Sequence, residues 1–261
     1  MSRLSSFSIF LLFGLTSSHI LAEQTTTITL RGKAQELHLY GQPGRPVVIL
    51  SSGDLGWAGL VTHVAEFLAG QGYRVVGFNS KAYLSSFTEK NSALSMQDVS
   101  RDFKLLLDFA QPGSPSLPLL AGVSEGAGLS VLAATDPINK PRLQGVLALG
   151  LPNQIELGWK WRDFTIWFTK NNPDEPYFMV DQIIHQVTPV PLAELHATHD
   201  EFLSIDEARA LLDQAKPPKR QWVIEATNHR FSDNRAELDR QMLEALAWFR
   251  QQPPAARGNA K

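Results

Sequence analysis

The sequence Gly-Val-Ser-Glu-Gly at residues 122–126 limits what this chain can fold into more than any other stretch. A largely apolar run at 117–121 precedes it, and a helix-compatible run at 130–135 follows it. This order of strand, sharp turn and helix is typical of a nucleophile elbow, in which a strained turn exposes a serine hydroxyl. The glycines are needed because a Cβ on either side would crowd the helix against the strand. The motif therefore predicts that Ser124 is a nucleophile.

The composition of the chain excludes several classes of protein. With 261 residues, of which 43% are hydrophobic and 19% charged, the chain is long enough for one globular domain with a full core. The net charge of −2 and the lack of a long basic stripe argue against nucleic acid as a partner. The absence of cysteine rules out disulfides and thiolate metal sites.

The first 22 residues have the pattern of a secretory signal peptide. Arg3 supplies a positive start, residues 7–15 form an apolar run, and the segment ends in the small residue Ala22. The run is shorter than the ~20 apolar residues that span a bilayer, which favours a cleaved signal over a membrane anchor. We therefore expect a mature chain that starts near Glu23 and is periplasmic or secreted. Residues 253–261 are short and basic and are expected to form a flexible tail.

Between these ends, strand and helix patterns alternate. The predicted strands are 25–30, 35–40, 46–50, 74–78, 117–121, 143–151, 190–198 and 221–226, and the predicted helices are 57–71, 95–110, 130–135, 204–215 and 234–249. The first two strands are expected to form an antiparallel pair. The alternation predicts an α/β fold, the α/β-hydrolase fold, with a mostly parallel central sheet and helices on both faces, in one domain at 23–252. The longest insertion, 153–187, is expected to overhang the site as a short lid.

Functional groups in such a sheet are expected at the carboxyl ends of the strands. Asp200 follows the strand predicted at 190–198, and His229 follows the one predicted at 221–226. The chain order Ser, Asp, His is that of the α/β-hydrolases. A serine hydroxyl needs an imidazole to accept its proton, and the imidazole needs a carboxylate on its other nitrogen. We predict Ser124 as the nucleophile, His229 as general base and acid, and Asp200 as the carboxylate that orients the imidazole.

The other histidines do not indicate a metal site. His196 and His199 lie beside Asp200, but an odd spacing in an extended segment sends side chains to opposite faces. His38, His63 and His185 have no convergent partners in the sequence and are interpreted as structural. We therefore expect no metal and no other cofactor.

Acyl transfer also needs backbone donors for the developing oxyanion. The expected donors are the N–H groups of Glu125, directly after the nucleophile, and of Asp54, in the loop after the strand at 46–50. Both residues place a carboxylate next to a site that must stabilise negative charge. Two explanations stay open. The side chains make local contacts at a helix start and in a turn, or they select substrates with a positive group, such as an aminoacyl ester.

Aromatic residues are concentrated in the insertion. Exposed aromatic side chains there would bind an acyl or lipid group and allow transient contact with a membrane surface, whereas buried ones would pack onto the domain. The candidate substrate contacts are Leu55, Trp57, Tyr83, Trp159 and Trp161.

Four stretches together resemble the bacterial VirJ/AcvB virulence-protein family. They are the elbow, Ser-Gly-Asp-Leu-Gly-Trp at 52–57, Asn-Ser-Lys-Ala-Tyr at 79–83 and Asn-His-Arg-Phe at 228–231. The resemblance extends over about residues 42–249. It implies an exported α/β-hydrolase, and matching the motifs position by position gives the same three catalytic residues. The chain differs from the usual family pattern at Val123, Glu125 and Leu55.

For AcvB-like members, the resemblance implies cleavage of the lysyl ester of lysyl-phosphatidylglycerol, a cationic aminoacyl lipid. The sequence thus predicts an exported serine hydrolase that acts through an acyl-enzyme on a small-molecule or lipid ester, with an aminoacyl phospholipid favoured. One alternative is a general carboxylesterase or peptidase on the same fold. The other is a non-catalytic periplasmic binding or assembly protein of the VirJ type, with an unknown protein partner.

Overall fold

The computed structural model describes residues 23–88, 94–159 and 176–253. The predicted signal peptide at 1–22, the predicted tail beyond Pro253 and the candidate contact Trp161 lie outside these ranges. Across the part of the chain that is described, no helix is long and apolar enough to cross a membrane.

Strands and helices alternate along the described chain, as the sequence predicts. The strands are β1 (Gln24–Leu30), β2 (Lys33–Tyr40), β3 (Val47–Ser51), β4 (Arg74–Phe78), β5 (Leu119–Val123), β6 (Gly145–Leu149), β7 (Gln154–Glu156), β8 (Tyr177–Met179), β9 (Leu192–Ala197) and β10 (Lys219–Ile224). The helices are α1 (Leu60–Gly70), α2 (Ser80–Phe87), α3 (Met96–Ala110), α4 (Glu125–Thr135), α5 (Ile205–Asp213) and α6 (Arg235–Gln251).

One sheet contains eight of these strands, in the order β1-β2-β4-β3-β5-β6-β9-β10. β1 and β2 are antiparallel, as predicted, and β2 is antiparallel to β4. Every neighbouring pair from β4 to β10 is parallel. The carboxyl ends of β3, β5, β9 and β10 therefore meet at one edge of the sheet. The loops that follow them carry Asp54, Ser124, Asp200 and His229 to the same side of the molecule.

The sheet has a hydrophobic core on each face. Successive side chains of a strand point to opposite faces, so Val47 and Ile49 of β3 lie in one core while Val48 and Leu50 lie in the other. Helices α2, α3, α4 and α5 contribute to the first core, and α1 and α6 contribute to the second. The predicted arrangement of a mostly parallel sheet with helices on both faces is confirmed.

The helix predicted from Trp57 begins three residues later, at Leu60. Gly56 and Gly59 have φ values of 75° and 69°, a left-handed conformation that interrupts a helix. The apolar spacing is therefore helical only from Leu60 onward, where it buries side chains such as Val64.

The helix starts differ in how far the sequence predicts them. Ser95 and Asp98 form a capping box at the start of α3, and Ser204 and Glu207 form another at the start of α5, so both predictions are confirmed. Helix α2 is not apparent from the sequence because it is short and rich in serine. Its start is fixed by Asn79, whose side chain accepts a backbone N–H of the first turn.

The base of the insertion at 153–187 is a two-stranded antiparallel sheet of β7 and β8. Phe178 on β8 is buried in the core, whereas the neighbouring Tyr177 is 52% exposed. One of these aromatic side chains thus packs onto the body of the domain and the other faces solvent. Residues 160–175 lie outside the described ranges, so the lid stays a prediction.

We expect Gly126→Ala to destabilise the fold. A Cβ at this position would overlap the backbone carbonyl oxygens of Ser51 and Ser52. Relief requires separation of α4 from β3, for which we expect a loss of about 2 kcal/mol or more in the free energy of unfolding. Urea denaturation followed by circular dichroism measures this quantity.

Gly70→Ala is the matched control. Gly70 ends helix α1, and a Cβ there meets no atom within 4 Å. Alanine should leave the stability unchanged or raise it by up to about 1 kcal/mol. Equal effects of the two substitutions would contradict the close approach of α4 to β3.

Candidate active site

The backbone at Ser124 is strained. Ser124 joins β5 to α4 with φ 51° and ψ −122°, a conformation that is rare for a residue with a side chain. Its N–H donates to the carbonyl of Leu149 at the end of β6 over 2.9 Å. The backbone carbonyl of Ser124 accepts the N–H of Ala127, so the turn leads directly into α4. This is the geometry that the elbow motif predicts.

Asp200 and His229 form a buried hydrogen-bonded pair. His229 Nδ1 lies 2.6 Å from Asp200 Oδ2, and the Asp200 side chain is 0% exposed. The other carboxylate oxygen accepts the N–H groups of Phe202 and Leu203 at 2.9 and 3.3 Å. Burial raises the pKa of Asp200, but the hydrogen bond and charge of His229, the N–H of Phe202 and the charge of His196 together outweigh burial, and the net pKa is lowered. Asp200 is therefore an ionised acceptor that orients the imidazole.

Three sets of contacts position His229 and the loop that carries it. The N–H of His229 donates to Glu201 Oε2 at 2.7 Å. Asn228 Oδ1 accepts the N–H groups of Arg230 and Ser232 at 3.1 and 3.2 Å. Beneath the ring lies Gly150, where a Cβ would come within 2.5 Å of the imidazole. The position of the ring therefore requires glycine at the end of β6.

Ser124 and His229 line one cavity of about 350 Å³. No hydrogen bond joins Ser124 Oγ to His229 Nε2, and among the described residues Nε2 has no hydrogen-bond partner. The structure thus forms the Asp200–His229 contact and brings Ser124 to the same cavity. The complete triad stays a prediction. Such contacts are often long in ligand-free enzymes and tighten when the substrate binds.

The two predicted oxyanion donors lie in stretches next to Ser124. Glu125 is the first residue of α4, and the first N–H groups of a helix have no acceptor within the helix. The loop after β3 packs against the nucleophile, since a Cβ on Gly53 would lie 3.2 Å from Ser124 Cβ. Asp54 follows in this loop and lines the cavity.

Acidic residues line part of the cavity, namely Asp54, Glu125 and Glu156. The N–H of Glu156 on β7 donates to Glu125 Oε1 at 3.3 Å. Burial, with the charges of Glu156 and Asp54, raises the pKa of Glu125 to about 8. Burial also raises the pKa of Asp54, against the opposing charges of His229, Lys81 and Arg230. Glu125 therefore makes a local contact and also contributes to an acidic wall.

Cationic residues line the cavity as well, namely Lys81, Arg230 and Arg235. Lys81 Nζ lies 4.3 Å from the centre of the Trp159 ring, in a cation–π contact. Burial lowers the pKa of Arg235. The described residues contain no group of three or more His, Asp and Glu side chains that could hold a metal ion. The cavity therefore presents both signs of charge together with apolar surface.

The predicted substrate contacts divide into two groups. Leu55, which is 43% exposed, and Trp159 line the cavity. Trp57 does not line the cavity: its ring stacks on His38 at 4.5 Å and covers Gly77 of β4. The indole thus packs on the sheet instead of facing the site.

Tyr83 is placed in the core and not at the cavity. It is 0% exposed on the buried face of α2, and its hydroxyl donates to Asp102 at 2.6 Å. Burial and the charge of Asp102 raise the pKa of Tyr83. The sequence does not reveal this, because it does not predict α2 and therefore gives no inward face for Tyr83.

Several residues of the site are not predicted from the sequence. Phe202 packs edge-on against His229, with ring centres 5.0 Å apart, and it is 46% exposed at the cavity. Glu201, Gly150 and Glu156 contact the loop, the ring and the acidic wall as described above. Gly150 carries a usable signal, since a glycine near the end of the strand predicted at 143–151 indicates a close approach of the backbone to another group.

The parallel sheet, the strained serine after β5 and the Asp–His pair after the last two parallel strands define an α/β-hydrolase fold. The chain belongs to the bacterial virulence protein (VirJ) family, whose sequence model matches residues 46–249. No curated protein matches the sequence.

Solved structures of similar fold include esterases. Est1E from Butyrivibrio proteoclasticus has a TM-score of 0.64 and 14% identity, over 87% of this chain and 99% of that chain. The esterase Pf2001 from Pyrococcus furiosus has a TM-score of 0.62 and 18% identity, over 87% and 90%. A membrane phospholipase A, described as a bacterial virulence factor, has a TM-score of 0.61 and 15% identity, over 88% and 87%. At these identities the likeness establishes the fold alone.

The raised pKa of Glu125 predicts a pH-dependent effect of Glu125→Gln. Between the ordinary value of 4.5 and about 8, the folded protein retains a proton that the unfolded chain loses. The contribution of Glu125 to stability is therefore present at low pH and falls as the pH rises through this window. Glutamine has no proton to lose. The variant should gain stability relative to the wild type from pH 5 to pH 8, by at most about 1.4 kcal/mol per pH unit.

Urea denaturation at several pH values measures this difference. Glu207→Gln is the control, because hydrogen bonds to Ser204 lower the pKa of Glu207 and place its titration below the tested range. Its stability difference should stay constant from pH 5 to pH 8. A constant difference for Glu125→Gln as well would show that Glu125 is ionised throughout.

Proposed function

We propose that this protein is an exported serine hydrolase that cleaves an ester through an acyl-enzyme intermediate. The observation that carries the proposal is the Asp200–His229 hydrogen bond of 2.6 Å, made by a histidine that lines the same cavity as the strained Ser124. With Nδ1 donating to Asp200, Nε2 is the ring nitrogen that can accept a proton. Export is proposed on the signal-like pattern of residues 1–22.

The proposed reaction has two halves. His229 Nε2 takes the Ser124 hydroxyl proton while Oγ bonds to the ester carbonyl carbon, and the N–H groups of Glu125 and Asp54 stabilise the oxyanion. As the tetrahedral intermediate collapses, the bond to the leaving alcohol breaks and the alcohol takes the proton from His229. Water then attacks the acyl-enzyme by the same route, which releases the acid and restores the serine. Asp200 stabilises the imidazolium throughout.

For the substrate we favour an aminoacyl phospholipid such as lysyl-phosphatidylglycerol. The acidic wall of Asp54, Glu125 and Glu156 would bind an ammonium group, with Glu125 losing its proton as the cation arrives, because opposite charges attract strongly in a partly dehydrated cavity. Leu55 and Trp159 offer apolar surface for the rest of the molecule. A phospholipid ester is also compatible with the similar fold of a membrane phospholipase A. General carboxylesterase or peptidase activity uses the same catalytic residues.

A second candidate function is that of a non-catalytic periplasmic binding or assembly protein of the VirJ type. The observation that favours it is the missing hydrogen bond between Ser124 Oγ and His229 Nε2, which leaves Nε2 without a partner among the described residues. A hydrolase scaffold can be kept for binding after catalysis is lost.

Labelling with a fluorophosphonate separates these two functions. The probe phosphonylates only an activated serine, so purified residues 23–261 should gain one adduct, on Ser124. We expect Ser124→Ala to abolish labelling. His229→Ala should slow it by at least about 10²-fold, because the hydroxyl loses its base. Mass spectrometry of the intact protein gives the number of adducts, and peptide mapping gives their position.

His185→Ala is the matched control, since His185 is an exposed histidine that does not line the cavity. It should label like the wild type. If the folded wild type is not labelled, or His229→Ala is labelled at the wild-type rate, the catalytic assignment is wrong and the binding function is favoured.

A second experiment tests the substrate class. Asp54→Asn and Glu125→Gln should each lower kcat/KM for a lysyl ester by about tenfold or more, since a charged hydrogen bond is worth about 1.5–3 kcal/mol. Both variants should hydrolyse a neutral ester of similar size at nearly the wild-type rate. The ratio of the two kcat/KM values is the measurement.

Glu225→Gln serves as the control, because its side chain is 78% exposed and pairs with His199 on the surface. It should change neither rate. An unchanged ratio in the Asp54 and Glu125 variants would reject a cationic substrate without affecting the assignment of the catalytic residues.

A further inference from the structure

A second buried histidine lies directly behind Asp200. His196 Nε2 is 3.8 Å from Asp200 Oδ2, the same oxygen that accepts from His229. His196 Nδ1 lies 3.0 Å from Glu194 Oε1. The other oxygen of Glu194 accepts the side-chain N–H of Gln221 on β10. A row of polar side chains thus leads from the sheet interior to the proposed catalytic imidazole.

The position of Glu194 and His196 inside the sheet is unusual for ionisable side chains. Glu194 and His196 are two residues apart on β9, so their side chains lie on the same face of the strand. β9 is an inner strand between β6 and β10. Glu194 is 1% exposed and His196 is 0% exposed. Buried ionisable groups are costly unless they are paired and hydrogen-bonded, which indicates a specific role for the pair.

The hydrogen bonds assign the protons of His196. Nε2 lies 2.8 Å from the backbone carbonyl of Leu203, which can only accept, so Nε2 carries a proton. Nδ1 faces Glu194, whose second oxygen already accepts from Gln221. An imidazolium that donates to a carboxylate makes the stronger, charge-assisted form of this contact, so we assign the second proton to Nδ1. His196 with both nitrogens protonated is an imidazolium.

The charges around His196 are consistent with this state. Glu194 from its own strand and Asp200 from the following loop are the acidic groups that act on it, while β10 contributes the neutral amide of Gln221. Burial lowers the pKa of His196, but the hydrogen bond and charge of Glu194, the Leu203 carbonyl and the charge of Asp200 together outweigh burial, and the net pKa is raised. His229 is the second imidazole in contact with Asp200.

We propose that His196, held as an imidazolium by Glu194, is a positioning residue for the catalytic Asp–His pair. Its positive charge stabilises the ionised Asp200 carboxylate at the oxygen that orients His229. Its hydrogen bond to the Leu203 carbonyl also fixes the turn at 200–203. That turn carries Asp200 and Phe202, and both contact the His229 ring. The inference rests on the proposed hydrolase function only for its effect on turnover.

The test begins with the charge of His196. In protein labelled with ¹⁵N-histidine, two-bond proton–nitrogen spectra distinguish an imidazolium from a neutral ring. We expect His196, assigned by its loss in His196→Gln, to give imidazolium signals at pH 7 and above. In Glu194→Gln the buried ring loses its counter-ion and should become neutral. The Leu203 contact remains available to it in that variant.

The second readout is the pH titration of the His229 ring in the same spectra. Glu194→Gln removes the negative charge of Glu194 together with the positive charge of His196. Because His196 is the group that lies 3.8 Å from Asp200 Oδ2, protonation of His229 becomes easier, and its titration should move to higher pH. The acid limb of the pH profile of kcat/KM should move by the same amount. At pH values on that limb, kcat/KM of the variant should be lower than that of the wild type by about tenfold for each pH unit of the shift. Loss of packing alone would not move this titration.

His199→Gln is the matched control. His199 directly precedes Asp200 in the sequence, but its side chain is 68% exposed and lies 3.6 Å from Glu225 at the surface. It should leave the His229 titration unchanged. A neutral His196 ring in the wild type at pH 7 would overturn the proposal. So would an unshifted His229 titration in a folded Glu194→Gln variant that has lost the imidazolium signals. Both outcomes are read without turnover, so they are distinct from failure of the hydrolase function.

Discussion

The close approach of helix α4 to strand β3 is the constraint on which the site depends. Gly126 packs on the carbonyl groups at the end of β3, and Gly122 packs on the carbonyl of Gly126. The chain between these glycines has no room to turn gradually, and Ser124 takes up the strain with a positive φ. The strain persists because buried layers on both faces of the sheet fix the strand and the helix. A nucleophile on this turn is held by the core of the domain.

Much of this arrangement follows from the sequence, because it depends on backbone pattern. Short apolar runs predict buried parallel strands, and parallel strands end at one edge. Positions such as Asp200 and His229 are therefore brought to one side of the molecule before any side-chain contact is known. The structure adds their hydrogen bond and places Ser124 in the cavity that His229 lines.

The sequence-based predictions that are wrong concern the direction of side chains, which depends on tertiary packing. Trp57 and Tyr83 lie in stretches that border the site, yet one covers the sheet and the other fills the core. Glu156 reaches the cavity from β7, a three-residue strand without a recognisable pattern of its own. The pair of Glu194 and His196 illustrates the same limit, since two polar residues in an apolar strand give no indication that they contact each other or that Asp200 lies beside His196.

The raised pKa of Glu125 has a consequence for how ligands enter the cavity. At neutral pH its carboxyl retains a proton. A cation that comes to rest beside it would stabilise the ionised form, so a proton would leave as the cation arrives. Binding of a cation is then linked to proton release. Its apparent affinity rises with pH, and the heat of binding varies with the ionisation enthalpy of the buffer. A neutral ligand in the same cavity has neither property.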